Sequence, residues 1–144
     1  MKGLYIMKKT KQFLSALAII ALLCALVSCG AENDPWASAQ YTEDTVIGEG
    51  ATTLTFIVEV LENSVTFTVN TDKKILGDAL MELGLIDGTV ESYGLYVKEV
   101  NGITADYDKN QRYWALYIND AYASSGVDTT EIKAGEIYKF VYSK

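Results

Sequence analysis

Apolar residues fall at every second position from residue 54 to 60. Leu54, Phe56, Val58 and Val60 alternate with Thr55, Ile57 and Glu59. The alternation resumes with Val65, Phe67 and Val69 set against Thr66 and Thr68. Period two sends successive side chains to opposite faces, so both runs predict half-buried strands. Glu62-Asn63-Ser64 predicts the turn between them, and the pair reads as a hairpin.

The period then lengthens. In TDKKILGDALMELGL, Ile75, Leu76, Ala79, Leu80 and Leu83 share one face of a helix. Thr71 or Asp72 is placed to cap its first turn, and Gly84 to end it in a left-handed conformation. Gly77 inside the helix costs about 1 kcal/mol relative to alanine, which close approach to the sheet would offset. Strand patterning returns in YGLYVKEVNGIT, where Asn101-Gly102 signals a hairpin turn because both residues tolerate positive φ. DYDKNQ predicts another turn, RYWALYIN a strand, Ala134-Gly135 a turn, and EIYKFVY the last strand. Two strands, one helix and several more strands predict an α+β domain. Its expected form is a single β-grasp-like mixed sheet with the helix packed across it.

Ahead of this pattern lie two stretches of different character. Residues 13–27 form an unbroken apolar run preceded by Lys2, Lys8, Lys9 and Lys11, and Met7 could serve as the start. Fifteen residues fall short of the roughly 20 that span a bilayer and match a secretory signal. The run closes in Leu26-Val27-Ser28-Cys29, which resembles a bacterial lipobox. That resemblance implies removal of residues 1–28 and acylation of the Cys29 thiol by a lipid such as palmitate. It also implies an extracytoplasmic protein anchored to the cell membrane. Residues 29–51 are polar and acidic, hold the only proline, Pro35, and predict a flexible tether in which Trp36 is incidental. The folded domain is expected over residues 52–144.

Charge and cysteine usage narrow the chemistry. Residues 29–144 carry eight basic and nineteen acidic side chains, a net charge of −11, which excludes nucleic acid as a partner. Cys24 leaves with the signal and Cys29 is acylated, so no thiol remains for a disulfide or metal. There is no histidine, no Gly-x-Ser-x-Gly elbow and no phosphate loop, so the chain is not expected to be an enzyme. Asp106, Asp108 and Asn110 are spaced like the start of a calcium loop. Gln111 and Tyr117, however, stand where such a loop needs glycine and glutamate, and the segment reads as an exposed acidic turn. No metal site and no cofactor are expected.

Aromatic residues supply the candidate binding surface. On the strand over 112–119, Trp114, Leu116 and Ile118 form an apolar face that predicts core. Tyr113 and Tyr117 lie on the other face. Tyr138, Phe140 and Tyr142 alternate with Ile137, Lys139 and Val141 on the last strand, and one of these faces is expected to expose aromatics. Tyrosine joins a rigid apolar ring to a polar tip, which suits both ligand surfaces and cross-strand pairing.

The ordered set ILGDALMELGL, YGLYVKEVNGI, RYWALYINDAYASSGVD and KAGEIYKFVY resembles the C-terminal domain of transcobalamin and intrinsic factor, and its relatives among bacterial surface lipoproteins. The resemblance spans residues 53–142. In the vertebrate carriers this domain covers one face of a corrin ring and a helical domain, without counterpart in these 144 residues, covers the other. The resemblance implies a small-molecule ligand, a corrinoid such as cobalamin or cobinamide, at Tyr93, Gly94, Tyr113, Trp114, Gly126 and Val127. With no imidazole to reach a cobalt, shape and amide contacts must hold it. A flat ring face is expected on Tyr113, Trp114, Tyr117 or Tyr122, with Ser124 and Ser125 meeting its polar rim. Expected partners are the membrane, through the anchor, and a transporter or surface protein. The other reading is an adhesion module that offers a sheet edge and takes no small molecule.

Overall fold

The computed structural model describes residues 33–144. The segment read as a signal peptide, the expected acylation site Cys29, and residues 29–32 of the expected tether lie outside the described residues. The domain itself runs from Pro35 to Lys144.

Its elements follow the predicted order with additions at several points. A 3₁₀ turn at Pro35–Ser38 precedes β1 (Thr45–Ile47), β2 (Thr52–Val60) and β3 (Asn63–Thr71). The helix α1 (Leu76–Glu82) leads into β4 (Ile86–Glu91), β5 (Gly94–Val100) and β6 (Ile103–Thr104). A single helical turn, α2 (Tyr107–Asn110), comes before β7 (Tyr113–Ile118) and β8 (Ala121–Tyr122). A second 3₁₀ turn at Val127–Thr129 precedes β9 (Ile137–Ser143). The fold is mixed α+β, as the patterning predicts.

The strands divide into two sheets where one was expected. Six run in the order β1-β3-β2-β9-β7-β8, and β4-β5-β6 form a separate antiparallel sheet. In the larger sheet β2 pairs in parallel with both its late partner β9, Phe56 opposite Tyr138 and Val58 opposite Phe140, and antiparallel with β3. The alternation on β2 and β3 is fully realised, with Leu54, Phe56, Val58, Val60, Val65, Phe67 and Val69 all buried. The hairpin turn is Leu61-Glu62, one position ahead of expectation, because Val60 already pairs with Asn63. β4 was not legible, since a register shift at Asp87/Gly88 interrupts its alternation.

The core lies between the large sheet and a layer made by α1 and the small sheet. Leu76 and Leu80 of α1, and Val97, Val100 and Ile103 of β5 and β6, pack on it. Across the sheet a row of rings runs from Tyr41 to Phe67 (5.4 Å), Phe56 (5.8 Å), Phe140 (6.1 Å) and Trp114 (6.5 Å), ending at Tyr142. The aromatics of β9 are therefore core. Tyr138, Phe140 and Tyr142 point inward, and Ile137, Lys139 and Val141 take the outer face, which reverses the expectation that this strand exposes its rings. The inward side is the one facing Phe56 and Trp114, where aromatic area removes most surface from water.

The caps of α1 differ from expectation. Thr71 is still strand, its hydroxyl accepting from the Lys73 amide, and the Asp72 carboxylate accepts from Ala51 N at 2.9 Å. Ile75 occupies the N-cap position without a side-chain bond, and Leu76 N donates instead to Thr130 O at 2.8 Å. At the other end Gly84 behaves as predicted. It has φ +66°, its N–H donates to Met81 O and that of Leu85 to Leu80 O, a Schellman closure.

Residues 35–51 do not form a tether. Val46 and its neighbours add a parallel strand to β3, and Trp36, Ala39, Tyr41 and Ile47 pack against the core. What holds them is Asn101, in the predicted positive-φ turn with Gly102 (φ 52° and 76°). Its side chain is fully buried, accepts from Tyr41 N at 2.9 Å and donates to Tyr41 O at 2.8 Å, while its carbonyl accepts from Gln40 N. Asn101 thus fixes residues 40 and 41, and β1 fixes residues 45–47. A polar, proline-bearing sequence reads as linker because its partner lies sixty residues away.

Asn101→Ala is expected to cost about 2–3 kcal/mol. It removes two part-buried hydrogen bonds of about 1 kcal/mol each and places alanine at positive φ. Urea titration should show a lower midpoint, and an unchanged midpoint would count against this account of the segment.

A second expectation concerns alkaline pH. Burial raises the Tyr138 hydroxyl above its ordinary 10.0, opposed by the Lys133 amide that donates to it. A hydrogen bond to Asp120, supported by Glu59, raises Lys139 above 10.5. A folded pKa above the unfolded value adds stability that is complete below the unfolded value and is lost as pH climbs through the folded one. The melting temperature is therefore expected to hold to about pH 10 and fall above it. Lys139→Met should shallow that fall, and a melting temperature still level at about pH 11.5 would contradict the assignment.

Candidate functional site

β5 of the small sheet and β7 of the large one approach each other and are bridged by segment 122–127. Between them lies a cleft of about 160 Å³. Leu95, Tyr96 and Val97 of β5 form one wall, Trp114 and Leu116 of β7 with Phe140 the floor, and Tyr122, Ala123, Ser125, Gly126 and Val127 the other wall.

Five of the residues expected to bind ligand meet here: Trp114, Tyr122, Ser125, Gly126 and Val127. The others do not line it. Tyr93 stands 77% exposed at the β4–β5 turn, Ser124 is exposed beside the cleft, and Gly94 sits one residue before its wall. Tyr113 and Tyr117 lie on the opposite face of the large sheet, in register with Ser143 and Lys139. There the Tyr117 ring meets that of Tyr122 edge-on at 5.5 Å, with the Lys139 ammonium 5.9 Å from its centre. The expected single platform of rings is thus divided by the sheet between two surfaces, because strand alternation separates Tyr113 and Tyr117 from Trp114.

Trp114 contributes to the floor and offers no stacking face. It is 7% exposed, its Nε1 donates to Ile103 O at 3.2 Å, and its ring is edge-on to Phe140 and Tyr142. Leu95, Tyr96, Val97, Leu116, Ala123 and Phe140 were missed. Leu116 was findable as Trp114's neighbour on one strand face, whereas β5 faces the cleft only through the packing of the two sheets. Burial, and after it Tyr93, Asp106 and Asp108, raise the Tyr96 hydroxyl above 10.0.

One unpredicted residue fixes the bridging segment. The Asp128 carboxylate accepts from Leu95 N at 3.1 Å and so joins the 3₁₀ turn at Val127–Thr129 to the start of β5. Glycine surrounds it. A Cβ on Gly94 would lie 2.7 Å from Asp128 Oδ2, and one on Gly126 2.7 Å from Oδ1. Gly77 of α1 faces the same turn, where a Cβ would stand 3.1 Å from both Asp128 Cα and Val127 O. The close approach expected of Gly77 is therefore made to this turn and not to the sheet.

The DYDKN turn is engaged in holding backbone. Asp106 caps α2 by accepting from Asp108 N, and Asn110 Oδ1 accepts from the amides of Asp106 and Arg112. Among the described residues no group of three or more acidic, cysteine or histidine side chains is arranged to hold a metal. No helix among them is long and apolar enough to cross a membrane.

Comparison with known proteins places this geometry. The family profile described as Domain of unknown function (DUF4430) matches residues 74–144, which takes in α1, the small sheet and the whole cleft. No curated protein matches. Among solved structures, a protein from Ruminococcus gnavus ATCC 29149 described as a candidate metal-binding protein aligns with a TM-score of 0.61 and 26% identity. The match covers 65% of this chain and 98% of that one. Haptocorrin in complex with Cbi aligns with a TM-score of 0.47 and 18% identity, over 68% of this chain and 27% of haptocorrin.

Gly77→Ala tests the packing around the cleft. Helix propensity alone would make it stabilising by about 1 kcal/mol. Here the added methyl meets backbone, which has nowhere to retreat, and the variant is expected to lose about 1–2 kcal/mol in denaturant titration. A gain in stability would show that the 127–129 turn yields freely.

Proposed function

We propose that this chain is an extracytoplasmic, lipid-anchored binding module that holds part of a small ligand in the cleft between β5 and β7. The carrying observation is the cleft itself. It is apolar on its floor, bordered by Ser125, and gathers Trp114, Tyr122, Ser125, Gly126 and Val127, five of the residues that the sequence singles out for binding. A few polar groups around an apolar hollow is the usual build of a ligand site.

The anchoring half of the reading rests on the sequence: the apolar run 13–27 and Cys29 directly after Leu26-Val27-Ser28. Binding without catalysis is favoured by the lack of histidine in the whole chain. A corrinoid is the specific ligand we put first, on the resemblance of the ordered motifs. A cleft of 160 Å³ is below the roughly 300 Å³ that encloses a drug-sized molecule. A corrin would therefore dock by an edge and leave most of its face uncovered. A metal-ion role, as in the description of the Ruminococcus gnavus protein, finds no ligand cluster among the described residues.

One observation favours the adhesion reading. β4 is an edge strand of the small sheet, and Val90 (85% exposed) and Tyr93 stand on and beside it, ready for an added strand.

Titration of cobinamide and of cobalamin into the full chain, followed in the visible band, tests the corrinoid. Binding that Ala123→Leu, which narrows the cleft, weakens about tenfold, about 1.4 kcal/mol, is expected. No change at high micromolar ligand would dismiss it. For the anchor, Cys29→Ser is expected to abolish palmitate labelling and release the protein from the membrane fraction.

A further inference from the structure

A second cavity of about 280 Å³ lies beside the first, lined by Ile118, Ser125, Thr129, Thr130 and three charged residues, Glu131, Lys133 and Glu136. Ser125 is on the wall of both. The first has an apolar floor, while the second is polar on nearly every side.

The hydrogen-bond pattern gives the second cavity a sign. A hydroxyl has one proton to donate and two lone pairs to offer. Thr130 gives its proton to Gly126 O at 2.8 Å, and Thr129 gives its own to the same oxygen at 3.2 Å. Ser125 and Thr130 lie 3.4 Å apart, and with Thr130's proton already committed, Ser125 is the donor of that contact. All three protons are thus spent within the chain, which leaves the hydroxyl oxygens at this cavity to act as acceptors. Glu131 and Glu136 add carboxylates, against the one ammonium of Lys133. The cavity therefore presents acceptors and a net negative charge, and calls for a ligand group that donates and is positive. An alkylammonium, with three N–H donors, satisfies several acceptors at once.

The first cavity sets the size of the other end. An enclosed apolar cavity of about 150 Å³ accommodates benzene, so this cleft of 160 Å³, open on one side to solvent, matches one six-membered ring in size. We infer that the paired cavities bind an aromatic primary amine, its single ring between Val97, Leu116 and Phe140 and its ammonium among the hydroxyl oxygens and carboxylates beyond Ser125. This deepens the binding reading above and rests on it.

The test is calorimetric titration of the full 144-residue chain with four probes: phenethylamine, phenylacetate, butylamine and cobinamide. Phenethylamine is expected to bind at least tenfold more tightly than phenylacetate, which carries the same ring with an acceptor end. It should exceed butylamine, which lacks the ring, by a similar factor. Glu131→Gln, at an exposed position, is expected to weaken phenethylamine about threefold. Ala123→Leu, which fills the cleft, should weaken it at least tenfold, with the thermal melt of each variant confirming its fold. Phenylacetate binding as tightly as phenethylamine, or phenethylamine binding unaffected by Ala123→Leu in a folded variant, overturns the inference. Heat from cobinamide alone overturns it and leaves the binding module standing. Heat from no probe at millimolar concentration removes this ligand class and the corrinoid together.

Discussion

The parallel pairing of β2 with β9 is the contact on which the rest of the domain depends. It joins strands some eighty residues apart and brings the early hairpin against β9 and, through it, β7. Its register sets Phe56 opposite Tyr138 and Val58 opposite Phe140. Shifted by one residue, every side chain of β9 would change face, and Lys139 would enter the core while Phe140 left it. The row of rings from Tyr41 to Tyr142 exists only in this register. So does the outer-face arrangement of Lys139 between Glu59 and Asp120, which requires the same strand to place its one lysine outward.

From that frame the cleft follows as a junction and not as a feature of any single element. The small sheet reaches the large one through β5, and the segment after β8 closes the gap. That segment has little regular structure, so its shape must come from bonds made elsewhere. The Asp128 carboxylate supplies one to Leu95 N, Gly126 O collects two hydroxyl protons, and α1 seats Gly77 against the turn. Three glycines around one aspartate describe a place where backbones are closer than side chains allow. The wall this builds is held from behind by Asp128 and α1, neither of which lines the cleft.

The same bonds decide the chemistry of the neighbouring cavity. Serine and threonine are commonly counted as neutral hydrogen-bonding groups, able to donate or accept as needed. Here the protons of Ser125, Thr129 and Thr130 are spent within the chain, and the surface that remains has a direction. The shape of the loop and the acceptor character of its hydroxyls thereby have one physical cause.

The sequence by itself determined the periodic parts. Alternation on β2, β3, β7 and β9, the Asn101-Gly102 turn and the closure of α1 at Gly84 are local, because each depends on neighbours a few residues away. It also marked Trp114, Ser125, Gly126 and Val127 as a group, since they lie within fourteen positions of one another. Tertiary structure decided what distance in the chain conceals. It made the polar stretch at 35–51 part of the domain, through an asparagine sixty residues later, and divided the strands into two sheets. It also turned the rings of β9 inward and parted Tyr113 and Tyr117 from the cleft. Periodicity names the two faces of a strand but not which one is covered. That choice belongs to the partner that packs on it, and only the folded chain brings the partner near.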